Sequence, residues 1–426
     1  MNLKHSKKLI KKSEKIIPAL SQTFSKAPSS YVEGEYPTYL SKGKGSHVFD
    51  VDDNEYIDYV LALGPISLGY NYSKVNKAII DQLKNGISFS MPHPLEIDLS
   101  EKLNSIIPSS EMVRFSKTGS DAGTAAIRAA RAYTKRDKIA YCGSGGVWHD
   151  WFTTITSRND GVPNFNKKLI KKFNYNDLES LKKIFEDWKD EVAAVYIEPM
   201  VLEPPEKNFL QKVKQITHKN GALLVFDEVV TGFRLANGGA QEFFNVTADL
   251  VAFGKGIANG MPLGAITGKA KFMEKFNDVF YSTSYGGETL SLAASLAVID
   301  EFQNKPVIKH CWKLGKYLQD EFNKISSQLD VNIKLEGIPV RTKIMCYDEN
   351  NKDSLLIKSL FFQETIKQGI LFGRGYTFLS YSHSLKDIQK TLQACEKGMK
   401  KVKKAIQTNS VKKSLHGQIM RPVLTF

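Results

Sequence analysis

Three ionisable residues fall where short apolar runs stop. AAVYIEP (193–199) carries Glu198 near its end, ALLVFDE (222–228) reaches Asp227, and LVAFG (250–254) stops one residue before Lys255. Open α/β sheets bind ligands outside the carboxyl ends of their strands. If these runs are strands, the three residues make one polar rim on an apolar sheet. Lys255 is the most informative of them. It sits in ADLVAFGKGIANGMPLGAITG, a stretch of 21 residues with only one other charge, Asp249. Apolar flanks keep such an amine from bulk water, and desolvation favours the neutral form that a Schiff-base nucleophile needs. Gly254 and Gly256 let the backbone turn tightly and approach a ligand. The competing reading is a surface lysine, one of 50, and the apolar flanks weigh against it. Asp227 closes the apolar run ALLVF, so its carboxylate needs a partner. A protonated ring nitrogen would serve and would keep that ring cationic; a helix cap or a salt bridge with Arg234 would serve as well.

An anion could be held nearby. FSKTGSDAGTAAIRAAR (115–131) reads as strand, glycine-containing turn and helix start, with Gly119 and Ser120 just ahead of an Ala-rich helix. The unpaired N–H groups and the positive end of a helix dipole bind anions. This is not a Walker loop, because G-x-x-x-x-G-K-[ST] is absent. Ser at a helix start is also a common cap, so the motif alone does not name a ligand.

The elements that must position these residues follow from periodicity. The apolar runs MVRF (112–115), KIAYC (138–142), AAVYIEP, ALLVFDE, LVAFG and LGAITG (263–268) alternate with helical stretches at 121–134, 177–186 and 206–219. Buried strands alternating with helices predict a parallel sheet covered on both faces. LGAITG follows its predecessor too closely for a helical crossover, so it should run antiparallel. GSHVFDVDDNEYIDYV (45–60) predicts a hairpin turning at Asp52-Asp53-Asn54, and 73–85 and 95–107 predict helices. Beyond about residue 300, helices at 306–328 and 385–405 flank two or three strands, a smaller α+β domain. The length of 426 residues is enough for two or three domains. The boundaries expected are an N-terminal segment 1–60 packing with the small domain, a large domain 61–300 and a C-terminal small domain 301–426.

Composition excludes other classes. With 42% hydrophobic and 24% charged residues, the chain is neither disordered nor collagenous. No run approaches the ~18 apolar residues of a membrane span. The N-terminus MNLKHSKKLIKKSEKII is too charged for a secretory core, so a cytoplasmic chain is expected. Cys142, Cys311, Cys346 and Cys395 form no C-x-x-C pair, and the eight His form no H-x-x-x-H, so no metal is expected. The net charge of +14 comes from nine Arg and 50 Lys. Arg reads phosphate and bases better than Lys does, so a solvated lysine surface is expected and not a nucleic-acid or membrane partner. In the N-terminal cluster, Leu9, Ile10, Ile16 and Ile17 would share one face of a docked helix.

Five motifs together resemble the class III, pyridoxal-phosphate-dependent aminotransferases, with glutamate-1-semialdehyde 2,1-aminomutase and its relatives nearest. They are DVDDNEYIDYV (50–60), MVRFSKTGSDAG (112–123), VFDEVVTGFR (225–234), FGKGIANGMPLGAITG (253–268) and STSYGGETLSLAA (282–294). The resemblance covers about residues 15 to 405. It implies the fold type I architecture of aspartate aminotransferase, with a large, mostly parallel seven-stranded sheet and a smaller α+β domain. It implies pyridoxal 5′-phosphate on Lys255, which would form the internal aldimine and shuttle protons. Asp227 would pair with the pyridinium nitrogen, Gly119 and Ser120 would hold the phosphate, and Glu198 would lie beside the ring. Ser284 stands where the family usually has a Thr that reaches the phosphate of a neighbouring subunit, which implies a homodimer with active sites at the interface.

Two departures bear on the reaction. Where the family has aromatic-His-Gly, this chain reads CGSGGVWHDW (142–151), making Trp148 the candidate to stack on the ring, with His149 beside it as a substrate contact. Where the aminomutase has an N-terminal Arg for the substrate carboxylate, Lys26 stands, and Lys is a poorer bidentate partner. The loop after His149 also looks short for a gate that retains an intermediate. These departures favour transfer between an amino-acid donor and a separate carbonyl acceptor over the aminomutase alternative. GGET and WHDW resemble a subgroup tied to amino sugars and surface polysaccharides, pointing to a sugar or another small aldehyde. Arg341, Arg374 and His383 could reach a substrate, but surface placement is expected for each.

Overall fold

The computed structural model describes residues 1–143 and 146–423, and these form two compact units. One comprises Met1–Tyr72 with Lys309–Val423, the other Ser73–Ile308.

In the first unit the expected hairpin forms: His47–Asp50 pairs antiparallel with Glu55–Asp58. Leu40–Lys44 extends it on one side and Ile370–Leu371 adds in parallel on the other. The turn does more than reverse the chain, because Asp52 accepts from the backbone N–H groups of His5 and Ser6 at 2.6 and 2.9 Å and so holds the start of the Lys4–Ser13 helix. That helix ends at Ser13, so Ile16 and Ile17 lie past it and do not extend its apolar face; Ile16 is exposed. Ile333–Ile338, Arg341–Cys346 and Tyr376–Thr377 make a second, antiparallel sheet. Arg341 and His383, expected at the surface, are buried. The Arg341 guanidinium lies 4.0 Å from the centre of the Tyr376 ring, where its planar face can stack. His383 Nδ1 accepts from the Ser380 N–H at 3.1 Å, and burial lowers its pKa to about 4. Arg374 is partly buried.

The second unit carries the seven-stranded sheet. In chain order its strands are β1 (Met112–Ser116), β2 (Lys138–Cys142), β3 (Ile170–Lys172), β4 (Val192–Ile197), β5 (Leu223–Asp227), β6 (Leu250–Phe253) and β7 (Gly264–Gly268). In space they run β1-β7-β6-β5-β4-β2-β3. The pairs from β3 to β6 are parallel, and β7 is antiparallel to both β6 and β1, as the short connection before it requires. Strands β4, β5, β6 and β7 are buried at every residue, which is why they read as unbroken apolar runs and not as alternation. The Gly119–Thr134 helix packs on this sheet through Ala122, Ala125, Ala126, Ala129 and Ala130, all fully buried against residues such as Ile139, Ala194 and Val225. Small side chains let helix and strands approach closely. Among the described residues, no helix is long and apolar enough to cross a membrane, and the four cysteines are buried and not joined in disulfides.

Candidate active site

The parallel register brings the strand ends level. Glu198 follows β4, and its N–H donates to Cys142 O at 2.9 Å, carrying the ladder one residue past the strand. Asp227 ends β5. Glu228, the next residue, donates its N–H to Ala252 O at 2.9 Å, so β5 and β6 stay paired as far as Asp227 and Ala252. Lys255 follows β6 after one glycine and adopts φ 41°, an uncommon conformation for a residue with a Cβ. Such strain concentrates at functional sites, where surrounding packing enforces it.

Glu198, Asp227 and Lys255 line one cavity together with Thr118, Gly119, Ser120, Gly146, Val147, Val229 and Val230. It holds about 570 Å³ of empty space, part of it open to solvent. The sequence-derived rim and the sequence-derived anion turn therefore belong to one site.

One end of the cavity is lined by the helix start at Thr118, Gly119 and Ser120. Thr118 is the cap: its Oγ1 accepts from Asp121 N at 3.1 Å, and Asp121 Oδ2 accepts from Thr118 N at 2.8 Å. This capping box satisfies the cap and third-position N–H groups and leaves those of Gly119 and Ser120 without intrahelical partners. Ser120 Oγ accepts from Trp148 N at 3.4 Å. Gly119 must be glycine, since a Cβ there would meet the Val229 methyls at 2.5 Å. A Cβ on Gly254 would lie 3.2 Å from Gly119 Cα, so two backbones meet at this edge of the cavity.

Asp227 is held from two sides. Its Oδ1 accepts from Val229 N at 3.1 Å and its Oδ2 from the Tyr196 hydroxyl at 3.0 Å. Burial and the nearby Glu198 carboxylate push its pKa up to about 6, opposed by Val229 N–H, Lys255 and Tyr196. A buried carboxylate so raised is poised to accept a cation. Its hydrogen bonds go to Tyr196 and Val229, where a salt bridge with Arg234 was an open alternative; Arg234 Nε donates to Val230 O at 3.2 Å.

The remaining candidates stand elsewhere. The Trp148 indole is 68% exposed and does not line the cavity; Val147, 5% exposed, occupies the wall position expected of it. The Trp148 backbone N–H reaches Ser120 Oγ, and its ring packs at 4.2 Å against His149. Ser144 and Gly145 of the same stretch lie outside the described residues. His149 is not at the cavity wall. Its Nδ1 pairs with Thr124 Oγ1 at 2.5 Å and its Nε2 lies 3.7 Å from Asp121, so it ties this loop to the helix. Burial lowers its pKa. Ser284 is exposed, and Lys26 is an exposed residue of the first unit.

Sequence reasoning missed Thr118, Val147, Val229, Val230 and Tyr196. The cap signature T-x-x-D at 118–121 could have found Thr118. Tyr196 is two residues before Glu198 on a strand and so faces the same side, which was a readable signal.

Comparison with known proteins gives a consistent picture. Residues 30–406 match the family Aminotransferase class-III. The chain is 33% identical over 417 residues to a 3-aminobutyryl-CoA aminotransferase of Cloacimonas acidaminovorans, covering 95% of this chain and 99% of that protein. It is 34% identical over 423 residues to a glutamate-1-semialdehyde 2,1-aminomutase of Acetivibrio thermocellus, covering 92% and 97%. Its fold matches an omega-transaminase from Sphaerobacter thermophilus with a TM-score of 0.86 at 26% identity, over 95% of this chain and 100% of that one. It also matches the fold of a glutamate-1-semialdehyde-aminomutase from Pseudomonas aeruginosa with a TM-score of 0.84 at 17% identity, covering 94% and 95%.

Proposed function

This chain belongs to the class III aminotransferases, and from that premise we propose that it transfers an amino group from an amino-acid donor to a separate small aldehyde or ketone, a sugar among the candidates. The cofactor is pyridoxal 5′-phosphate. When bound, it supplies an aldehyde that exchanges with the amino group and a ring that draws electrons from the reacting carbon.

The residues present fit that group. One observation carries the reading: an amine, a buried carboxylate and an anion-binding helix start line a single cavity. Lys255 Nζ is the amine that holds the aldehyde and moves protons at the reacting carbon. Asp227 keeps the ring nitrogen protonated. The free N–H groups of Gly119 and Ser120 at the helix start would hold the phosphate. Glu198, on the same cavity wall, would contact the ring. Val147 and Val229 supply apolar walls that exclude water, while Trp148 and His149 secure the loop that carries Val147. Ser284, exposed beside exposed Tyr285, is suited to reach the phosphate of a second subunit in a homodimer.

Transfer between two substrates, and not internal rearrangement, is supported by Lys26 standing where an aminomutase would carry a bidentate Arg. The test is to offer the purified holoenzyme single amino donors and follow the visible absorbance of its cofactor. Bleaching with release of one oxo acid, reversed by a carbonyl acceptor, is the expected result. Net isomerisation of a lone substrate, with no donor or acceptor added, would overturn it.

A further inference from the structure

Tyr196 is buried, and no step proposed above requires it. Its hydroxyl is 3.0 Å from Asp227 Oδ2, reaching from β4 to the end of neighbouring β5. Its ring is fixed on several sides. Trp151 packs edge-on at 5.3 Å and Tyr141 lies at 6.3 Å. Trp151 is itself anchored, because its Nε1 donates to Thr124 Oγ1 at 2.9 Å.

The fourth side is the most telling. Gly123 sits inside an Ala-rich helix, where Gly costs about 1 kcal/mol relative to Ala. A Cβ at Gly123 would lie 2.6 Å from the Tyr196 hydroxyl oxygen. The helix gives up propensity at the one place where a methyl group would displace that oxygen.

We propose that Tyr196 is a positioning residue: its hydroxyl, seated in the notch left by Gly123, fixes the Asp227 carboxylate and holds it ionised so that the proton of the pair resides on the cofactor's ring nitrogen. This rests on the cofactor assignment above. The physics is a competition for one proton. Asp227 faces Glu198 and Lys255 and is buried, and burial with the Glu198 charge favours the protonated carboxyl. A neutral donor on Oδ2 stabilises the carboxylate and returns the proton to the ring nitrogen. Tyr196 is suited to this, because burial and the nearby Asp227, Tyr141 and Glu198 push its own pKa well above 10, so it remains a donor.

The experiment uses holoenzyme carrying cofactor labelled at the ring nitrogen and reads nitrogen NMR. The wild type should show a protonated ring nitrogen. Tyr196→Phe, which keeps the ring and its packing, should shift the signal toward neutral pyridine. The expected change in the ratio of the two forms is roughly tenfold, the size of one hydrogen bond to a charged group. Gly123→Ala, which intrudes on the hydroxyl from the helix side, should move the signal the same way. A cofactor analogue with C–H in place of the ring nitrogen should bind the wild type and Tyr196→Phe equally. An unchanged nitrogen signal in Tyr196→Phe overturns the proposal, and so does an equal loss of affinity for cofactor and analogue, which would mark the tyrosine as packing alone. Wild-type protein that binds neither compound would instead overturn the cofactor assignment, and this inference with it.

Discussion

Asp227 and Glu228 are adjacent, both buried, and both raised by burial, to about 6 and about 7. Their carboxylates bind different partners. Glu228 is turned to the protein: its carboxylate accepts from Ala240 N at 2.6 Å, Gln241 N at 3.1 Å and Thr231 Oγ1 at 2.9 Å, closing the start of the Gly239–Phe244 helix. Asp227 accepts two hydrogen bonds and also forms part of the cavity wall. A buried carboxylate whose acceptors are spent on its own chain is a brace. One that keeps acceptor capacity toward a cavity can serve a ligand there. Burial and a raised pKa are common to both and do not tell them apart.

The largest test of this contrast bears on the cavity itself. Lys255→Ala should lower amino transfer by about 10²–10⁴-fold or more. It should also leave no residue modified by borohydride in the presence of the cofactor, as read by peptide mass. Activity close to wild type would remove the amine from the centre of the site.

Exchanging the two carboxylates comes next. Asp227→Asn should cost about 10²–10³-fold in rate with little loss of fold stability. Glu228→Ala should cost about 2–4 kcal/mol in urea unfolding, because it strands buried N–H donors, with cofactor affinity nearly intact. The opposite pattern, with Asp227 bracing and Glu228 binding, would break the comparison.

The pH dependence sharpens it further. Because both folded-state values lie above those of the unfolded chain, the folded protein holds protons that the unfolded chain has already released. Each group therefore removes stability as pH rises from about 4 to its folded value, and neither contributes below about pH 4. Asp227→Asn deletes one share. Its stability relative to cofactor-free wild type should climb by about 1–2 kcal/mol between about pH 5 and about pH 7.5. Matched unfolding curves check this, and a constant difference would mean that Asp227 is charged throughout.

The smallest effect expected is at the helix cap. Thr118→Ala should cost about 1 kcal/mol of stability. Denaturant midpoints with and without inorganic phosphate would show whether the loosened helix start also binds anions less well.

Much of the site was legible because of how strands end. Glu198, Asp227 and Lys255 stand out as ionisable residues breaking apolar runs, and parallel pairing sets such ends level. The antiparallel direction of β7 was readable from connection length. The resting place of an aromatic in an irregular loop was not. Trp148 and Val147 are neighbours, and nothing periodic in the loop says which one faces inward. The interior of the first unit was also hidden, since Arg341 and His383 look like surface residues until Tyr376 and Ser380 close over them.

By itself, the sequence marked the residues that are candidates to act and indicated the chain direction of the strands that present them. Those properties are local: side-chain chemistry, apolar run length and the length of a connection. Only the folded chain decided that Tyr196 meets Asp227 across two strands, that Gly123 makes room for the hydroxyl, and that Val147 faces the cavity in place of Trp148. These depend on contacts between residues far apart in the chain, whose distances follow from strand order and close packing and from no pattern within either segment.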